Sequence, residues 1–350
     1  MQRLTIVVLG ILGAILLIGL IGPVSGKARK PMKVALITPG AISDGGWNQA
    51  AYQGLKKIER ELKAQTAHAE VRAPADYPQA FRDFASRGFD LIFGHGFEFG
   101  DAALEISRLF PKSFFVITSG RVQGANVASL QMQINEPAYL LGYLAGKMSR
   151  TKKVGCVGGM KIPSVERSLA GFVAGALETK GKIQVRVTYT GSFEDVLAAK
   201  EAARALIRWG ADFLMHNADA SGIGVFQAAS EGKGVFAFGC IQPQHSLMPK
   251  VVLGSAVADI PSGFLTIAFW HRDGRLRGKI YYLGLKEGAV RVVFNPRLVS
   301  QVPRSLLAEL DAVKQKITSG LFKVPDRMPA DLASGQRADA DIAKANLYSF

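Results

Sequence analysis

The sequence contains few cysteines and few histidines, and this scarcity excludes several classes of protein. Its 350 residues include two cysteines, Cys156 and Cys240, which lie far apart in apolar runs. This pattern excludes a disulfide scaffold and a cysteine-rich zinc module, and we expect both residues to be buried free thiols. The five histidines are scattered, and no pair has the spacing of two metal ligands on one helix. We therefore predict no metal site.

Motifs of nucleophilic and phosphate-binding enzymes are also missing. The sequence contains no Gly-x-Ser-x-Gly elbow and no Walker loop. Gly94, Gly96 and Gly100 resemble a dinucleotide-binding loop, but the last gap is one residue too long and no ribose-binding acid follows. We therefore predict a binding protein without catalytic residues or a cofactor. An enzyme that uses converging acids as general acid and base stays open as the alternative.

The chain is basic, but its charge is spread along the sequence. It has 43 Lys and Arg against 28 Asp and Glu, a formal net charge of +15. Long basic runs interleaved with aromatic residues are absent, and so are zinc-finger and RNA-recognition signatures. We therefore expect weak attraction of anions and no nucleic-acid partner.

The first thirty residues have the composition of an export segment. Residues 4–22 form an uncharged apolar run, and small residues precede a candidate cleavage site after Gly26. The run is also close to the roughly 20 residues that span a bilayer, so an uncleaved anchor is the alternative. Both interpretations place the rest of the chain outside the cytoplasm, in the periplasm or at the cell surface.

From Lys33 onward, short apolar runs alternate with amphipathic stretches. Strands are predicted at 33–38, 90–94, 114–118, 126–130, 153–157, 184–189, 212–216, 235–239 and 251–257. Helices are predicted at 47–64, 78–87, 101–109, 136–149, 164–179, 195–209 and 223–231. This alternation predicts an α/β protein with two doubly wound, Rossmann-like lobes. Ligands of such sheets bind beyond the carboxyl ends of the strands, so two facing lobes predict a cleft.

The loops at these strand ends supply the candidate ligand-binding residues. They are Asp44, Trp47, Asn48, Phe97, Phe99, Asp101, Met160, Asn217, Asp219, Ser221 and Gly239. Simpler roles remain open for several of them: the acids as helix caps or loop hydrogen-bond acceptors, and the aromatic residues as ordinary packing. We expect only one of Phe97 and Phe99 to face the cleft.

Several segments, taken in order, resemble the basic membrane protein family of substrate-binding proteins for ABC transporters, which includes purine-nucleoside receptors. The matching pieces include Asp44–Gln49, Lys153–Pro163, Tyr189–Asp195, Gly222–Phe226, Leu283–Gly288 and Ile317–Pro325. The resemblance implies a hinged two-lobe receptor of the type I periplasmic-binding-protein architecture, which closes on a small molecule and docks on a membrane permease. By analogy, a monomer is expected.

The resemblance also implies roles for individual residues. Asp44 and Asn48 match an acid and an Asn that hold a purine, and Trp47 stands where an aromatic residue stacks on the base. Asp101 matches a further acid. Ile241 stands where nucleoside-binding members carry the acid that grips ribose hydroxyls. Other departures from the nucleoside-binding pattern are Ala258 in place of a lysine and Ser168 in place of an aromatic residue.

Other segments resemble a branch of the family for which free purine bases are plausible ligands. Glu166 and Arg167 match an adjacent acid and Arg of that branch, and His216–Asp219 is similar to it as well. We therefore predict a purine base or similar flat heterocycle as the ligand. A purine nucleoside, or a membrane-anchored sensor of the same fold, is the alternative.

The chain is predicted to divide into a leading segment, two lobes and a tail. Residues 1–26 are expected to be the signal peptide or anchor, and residues 326–350 a tail. The N-terminal lobe is predicted to comprise 32–128 plus 257–280, and the C-terminal lobe 129–256 plus 281–325. The crossings near 128, 256 and 281 would then form the hinge.

Overall fold

A computed structural model describes residues 30–179, 181–329, 332 and 338–339. The predicted signal peptide or anchor and most of the predicted tail lie outside these residues. The described residues from Met32 onward form one compact unit. Within the described part of the chain, no helix has the length and apolar character needed to cross a membrane.

The fold alternates strands and helices from its first described strand onward. The strands are β1 (Lys33–Thr38), β2 (Gln65–Glu70), β3 (Leu91–His95), β4 (Phe114–Thr118), β5 (Val127–Met132), β6 (Lys153–Gly158), β7 (Gln184–Tyr189), β8 (Phe213–Asn217), β9 (Phe236–Ile241), β10 (Val252–Ala258), β11 (Ile280–Leu283), β12 (Val290–Phe294) and β13 (Ala338–Asp339). The helices are α1 (Trp47–Leu62), α2 (Tyr77–Ser86), α3 (Gly100–Ser107), α4 (Asn135–Met148), α5 (Pro163–Glu178), α6 (Val196–Trp209), α7 (Gly222–Glu231), α8 (Ile260–Arg272) and α9 (Arg304–Thr318).

These strands form two sheets dominated by parallel pairs, which confirms the predicted α/β class. The first sheet has the order β11-β5-β4-β3-β1-β2, and each of its neighbouring pairs is parallel. The second has the order β12-β10-β9-β8-β6-β7-β13, in which β12 and β13 join antiparallel. The central strands are continuous apolar runs because helices cover both faces of a parallel sheet.

The predicted crossings between lobes fall inside strands of these sheets. Position 128 lies within β5, 256 within β10 and 281 within β11. Both β5 and β11 belong to the first sheet, so the chain leaves that sheet only after Met132 and after Leu283. It leaves the second sheet after Ala258, the last residue of β10. The division into two lobes at such crossings stays a prediction.

Helices α4 and α5 pack unusually closely, and glycines make this approach possible. A Cβ added at Gly142 would lie 1.9 Å from the Phe172 carbonyl oxygen, and one added at Gly175 would lie 2.0 Å from that of Tyr139. No real side chain fits at such distances, so the backbones of the two helices touch directly. This contact joins two helices that precede and follow β6 and thereby stabilises the second sheet's helical layer.

Candidate ligand-binding site

The loops at the carboxyl ends of both sheets enclose a cavity. Its empty volume is about 540 Å³, which includes its opening to solvent. The lining residues are Trp47, Ser119, Met132, Ile134, Ile162, Ser164, Val165, Arg167, Phe193, Asn217, Asp219, Ile241 and Ala258. Small-molecule sites commonly have a mainly apolar wall with a few polar groups, as this cavity does. Its position, beyond the carboxyl ends of parallel strands, is the usual one for a ligand in open α/β sheets.

Trp47 begins α1, and His95 holds its indole ring in place. The two rings stack with centroids 4.0 Å apart and planes 23° apart. His95 Nε2 lies 3.0 Å from the Trp47 carbonyl oxygen, which can only accept, so Nε2 carries the hydrogen. His95 Nδ1 then accepts from the Thr118 hydroxyl at 2.9 Å. Burial lowers the pKa of His95 to about 3, which keeps this platform neutral.

Asp44 uses its carboxylate on the backbone that leads into α1. It accepts hydrogen bonds from the amides of Gly46 at 2.9 Å, Asn48 at 2.7 Å and Gln49 at 3.0 Å. These are the amides that a helix start leaves without partners. The side chain of Asp44 is therefore a cap, and it is not part of the cavity wall.

Asp219 faces this same loop from the second sheet. It follows β8, has a left-handed backbone with φ of 44°, and approaches Gly46 so closely that a Cβ there would lie 3.3 Å from its Oδ1. Burial and the nearby Asp44 carboxylate raise the pKa of Asp219 to about 7. At neutral pH its carboxyl group can therefore either accept or donate a hydrogen bond.

Arg167 and Asn217 are buried polar groups of the cavity wall. Arg167 on α5 donates from Nη2 to the Gln131 side-chain oxygen on β5, while its Nε has no partner. Burial, followed by repulsion from Arg121, lowers the pKa of Arg167. Asn217 donates from Nδ2 to the Ser168 hydroxyl at 2.7 Å, which orients its amide.

Elements of the two sheets contact each other around the cavity. Gln242, which follows β9, donates to the Gly46 carbonyl oxygen at 3.0 Å. The bond from Arg167 to Gln131 also joins the second sheet's helical layer to the first sheet. Because these contacts come from the loops and strands that enclose the cavity, the structure shows the two sheets drawn together around it.

The structure brings some of the predicted ligand-binding residues to the cavity and places others elsewhere. Trp47, Arg167, Asn217, Asp219 and Ile241 line it. Asp44, Asn48, Phe97, Phe99, Asp101, Met160, Glu166, Ser221 and Gly239 are not among the lining residues. Ligand contact by the first group remains a prediction.

The positions of the second group have local physical reasons. Phe99 is fully buried and packs on Tyr77, with centroids 4.1 Å apart, whereas Phe97 is 41% exposed. Asp101 is exposed in the first turn of α3, and Met160 is 45% exposed. The short helical turn Phe97–Phe99 points its last ring back into the core, so Phe99 acts in packing.

The remaining residues of that group serve their own loops. Glu166 lies 3.9 Å from the Lys161 amine, and Ser221 donates to the Ala218 carbonyl oxygen at 2.7 Å. A Cβ at Gly239 would lie 2.6 Å from polar atoms of two neighbouring side chains, which explains why glycine is needed there. Asn48 keeps its side-chain oxygen buried without a partner.

The prediction missed eight of the thirteen residues that line the cavity. The missed residues are Ser119, Met132, Ile134, Ile162, Ser164, Val165, Phe193 and, as a ligand contact, Ala258. Ser119 and Ala258 directly follow predicted strands, so the rule that found Asn217 would have found them too.

Cys156 and Cys240 are buried free thiols, as predicted. Among the described residues, no cluster of three or more His, Cys, Asp or Glu could hold a metal ion.

Comparison with known proteins identifies relatives of the whole described region. A family model described as "Bmp: ABC transporter substrate-binding protein PnrA-like" matches residues 32–328. The "ABC transporter nucleoside-binding protein BmpA" of Lactococcus lactis subsp. cremoris is 31% identical, with 84% of this chain and 90% of the relative covered. "Basic membrane protein A2" of Borrelia garinii subsp. bavariensis is 30% identical, with 84% and 88% covered.

Solved structures show the same fold. A solute-binding protein of an ABC transporter system from Conexibacter woesei is 28% identical, with a TM-score of 0.69 over 84% of this chain and 99% of that one. Another from Aeropyrum pernix has a TM-score of 0.77 over 89% of this chain and 100% of that one, at 22% identity, which shows a common fold alone.

Proposed function

This chain belongs to the Bmp family of PnrA-like ABC transporter substrate-binding proteins, and we propose that it binds a purine base or a similar flat heterocycle. Capture takes place outside the cytoplasmic membrane, in the periplasm or at the cell surface. The loaded protein then docks on the permease of its transporter and releases the ligand there. It acts as a monomer, without a cofactor and without catalysis.

The wall of the cavity carries this proposal. On one side Trp47 presents an aromatic ring that His95 holds in place. Stacking of a base on such a ring contributes about 1–3 kcal/mol in nucleic-acid complexes. On the other side Ile241 and Ala258 line the cavity, at positions where the resemblance implies an acid and a lysine in nucleoside-binding members. Ribose hydroxyls placed against these apolar side chains would lose their hydrogen bonds to water without replacement, which disfavours a nucleoside.

Closure of the receptor supplies the affinity in the usual way for hinged binding proteins. The contacts from Gln242 to Gly46 and from Arg167 to Gln131 form only when the two sheets approach. A ligand that touches both sides of the cavity stabilises this arrangement over an open one. The permease can then distinguish the loaded protein from the empty one by its shape.

Two alternatives have specific support. The Lactococcus relative is named a nucleoside-binding protein, and its similarity extends over most of this chain. A purine nucleoside would need the hydroxyls of Ser119 and Ser164 as substitute partners for the ribose. The apolar run at residues 4–22 favours a tethered protein if it is retained, and a tethered protein could act as a sensor.

Paired titrations of bases and nucleosides test the proposal. The protein is stripped of ligand by unfolding and refolding, and adenine, guanine, hypoxanthine and xanthine are compared with their nucleosides by calorimetry. We expect each base to bind at least about tenfold more tightly than its nucleoside, a difference of about 1.4 kcal/mol. The double variant Ile241→Asp/Ala258→Lys should move this preference towards the nucleosides. Tight binding of nucleosides without binding of bases would contradict the proposal.

A further inference from the structure

One buried cation lines the cavity with most of its hydrogen-bonding capacity unused. Arg167 is 6% exposed, and its only hydrogen bond among the described residues is the one from Nη2 to Gln131. Its Nε is buried without a partner. A guanidinium group has five N–H donors and no acceptor. None of the ion pairs within the described residues includes Arg167.

Such an arrangement is costly unless a ligand completes it. A buried charge without a counter-charge or a full set of hydrogen bonds destabilises the protein. Gln131 offers Arg167 only a neutral oxygen, and the Gln131 amide is itself held, since its nitrogen donates to the Gly120 carbonyl oxygen. Arg121 adds positive potential near Arg167, and Asp326 opposes it without forming an ion pair with Arg167 among the described residues. The missing partner is therefore an acceptor that enters the cavity.

The other polar groups of the wall discriminate less. Asn217 uses one N–H of its amide on Ser168, and the other N–H and the amide oxygen can pair with either an acceptor or a donor. Asp219 can donate or accept near neutral pH, because burial and Asp44 raise its pKa to about 7. The hydroxyls of Ser119 and Ser164 can also do either. Within the part of the chain that the structure describes, Arg167 is the only cationic residue that lines the cavity, so it imposes the requirement for an acceptor.

We propose that Arg167 makes this receptor selective for 6-oxopurines, whose carbonyl oxygen and N7 face its guanidinium, over 6-aminopurines. In protein–DNA complexes Arg pairs with the O6 and N7 acceptors of guanine, whereas side-chain amides pair with the N6 donor and N7 acceptor of adenine. The proposal rests on the proposed function, because it assumes a purine base in this cavity. A hydrogen bond from a charged group makes a preference of about 10- to 100-fold.

Hypoxanthine and adenine are the sharpest probes, since they differ at position 6 and in the protonation of N1. Both are titrated into the exported protein as the cell produces it, after ligand is removed by unfolding and refolding. We expect hypoxanthine to bind about 10- to 100-fold more tightly than adenine. Arg167→Gln should bring the ratio of the two affinities close to one. Arg167→Lys should keep part of the preference for hypoxanthine. Arg108→Gln, at an exposed position after α3, is the matched control and should leave the ratio unchanged.

The ratio of the hypoxanthine and adenine affinities distinguishes a specificity role of Arg167 from a purely structural one. If Arg167 only joined the two sheets through Gln131, its loss would weaken both ligands equally and keep the ratio, and this result would overturn the proposal. Equal binding of the two bases by the unaltered protein, or a preference for adenine, would also overturn it while the proposed function stands. Failure of every purine base to bind would overturn both.

Discussion

Replacement of Asp219 by Asn should change how the stability of the protein depends on pH. Burial and the Asp44 carboxylate raise the pKa of Asp219 from an ordinary value of 3.8 to about 7. The native protein therefore keeps a proton on this group that the unfolded chain loses near pH 4. Between these values unfolding releases the proton, so the free energy of unfolding falls as the pH rises, and the fall is complete above about pH 7.

The size of this effect has an upper bound. One pKa unit corresponds to about 1.4 kcal/mol, so the full displacement amounts to at most about 4 kcal/mol. The side chain of Asp219 is partly exposed, and screening by water makes a measured change of about 1–3 kcal/mol the expected result. The Asp219→Asn variant would lack this fall in the free energy of unfolding with rising pH, since an amide does not titrate. Asn also tolerates the left-handed backbone at this position, where φ is 44°.

Urea unfolding of both proteins at several pH values between 4 and 8 measures this difference. Because the substitution leaves groups distant from Asp219 unchanged, the difference between the two stability curves reports Asp219 together with the groups coupled to it. We expect the unaltered protein to lose stability relative to Asp219→Asn as the pH rises through this range. A constant difference between Asp219→Asn and the unaltered protein over this range would show that the native protein does not retain this proton.

Three further outcomes are expected. Trp47→Ala should weaken base binding about 5- to 150-fold by calorimetry, because it removes a stacking contribution of about 1–3 kcal/mol, whereas Trp47→Phe should retain most of the affinity. Gly142→Ala should lower the melting temperature by several degrees, since its new Cβ would lie 1.9 Å from a backbone oxygen; Gly124→Ala, whose Cβ would meet its nearest atom at 3.6 Å, should not. Cys156 and Cys240 should resist thiol reagents until the protein unfolds, because burial raises the pKa of both thiols.

Much of the fold is predictable from the sequence because the buried parallel strands are continuous apolar runs. The strands at 33–38, 114–118 and 184–189 match the structure residue for residue. The missed strand β2 shows the limit of this signal. Its residues QTAHAE form the edge of the first sheet and are half-buried or exposed, so no apolar run marks them. Pairing with β1 through the backbone, which leaves no mark in the sequence pattern, makes this segment a strand.

The candidate site is predictable only in part, for a related reason. The position of a loop after a strand found Trp47 and Asn217, but it does not reveal which side of the loop each side chain faces. Phe97 and Phe99 illustrate this, because a single helical turn separates an exposed ring from a fully buried one. Asp44 has the residue type expected of a ligand contact, yet three backbone amides use its carboxylate. Such local competition for hydrogen bonds becomes visible only in three dimensions.

Ile241 provides an independent argument about the ligand. Its φ is 70°, and a left-handed backbone is strained for a β-branched side chain by roughly 1–2 kcal/mol. Asp tolerates that conformation much better than isoleucine. An isoleucine at this position therefore destabilises the backbone. Its apolar side chain lines the cavity and offers no hydrogen bond to a hydroxyl group. Strained residues of this kind concentrate at binding sites, where the surrounding structure maintains them. The strain is understandable if the apolar surface that Ile241 gives the cavity is needed for a ligand without ribose.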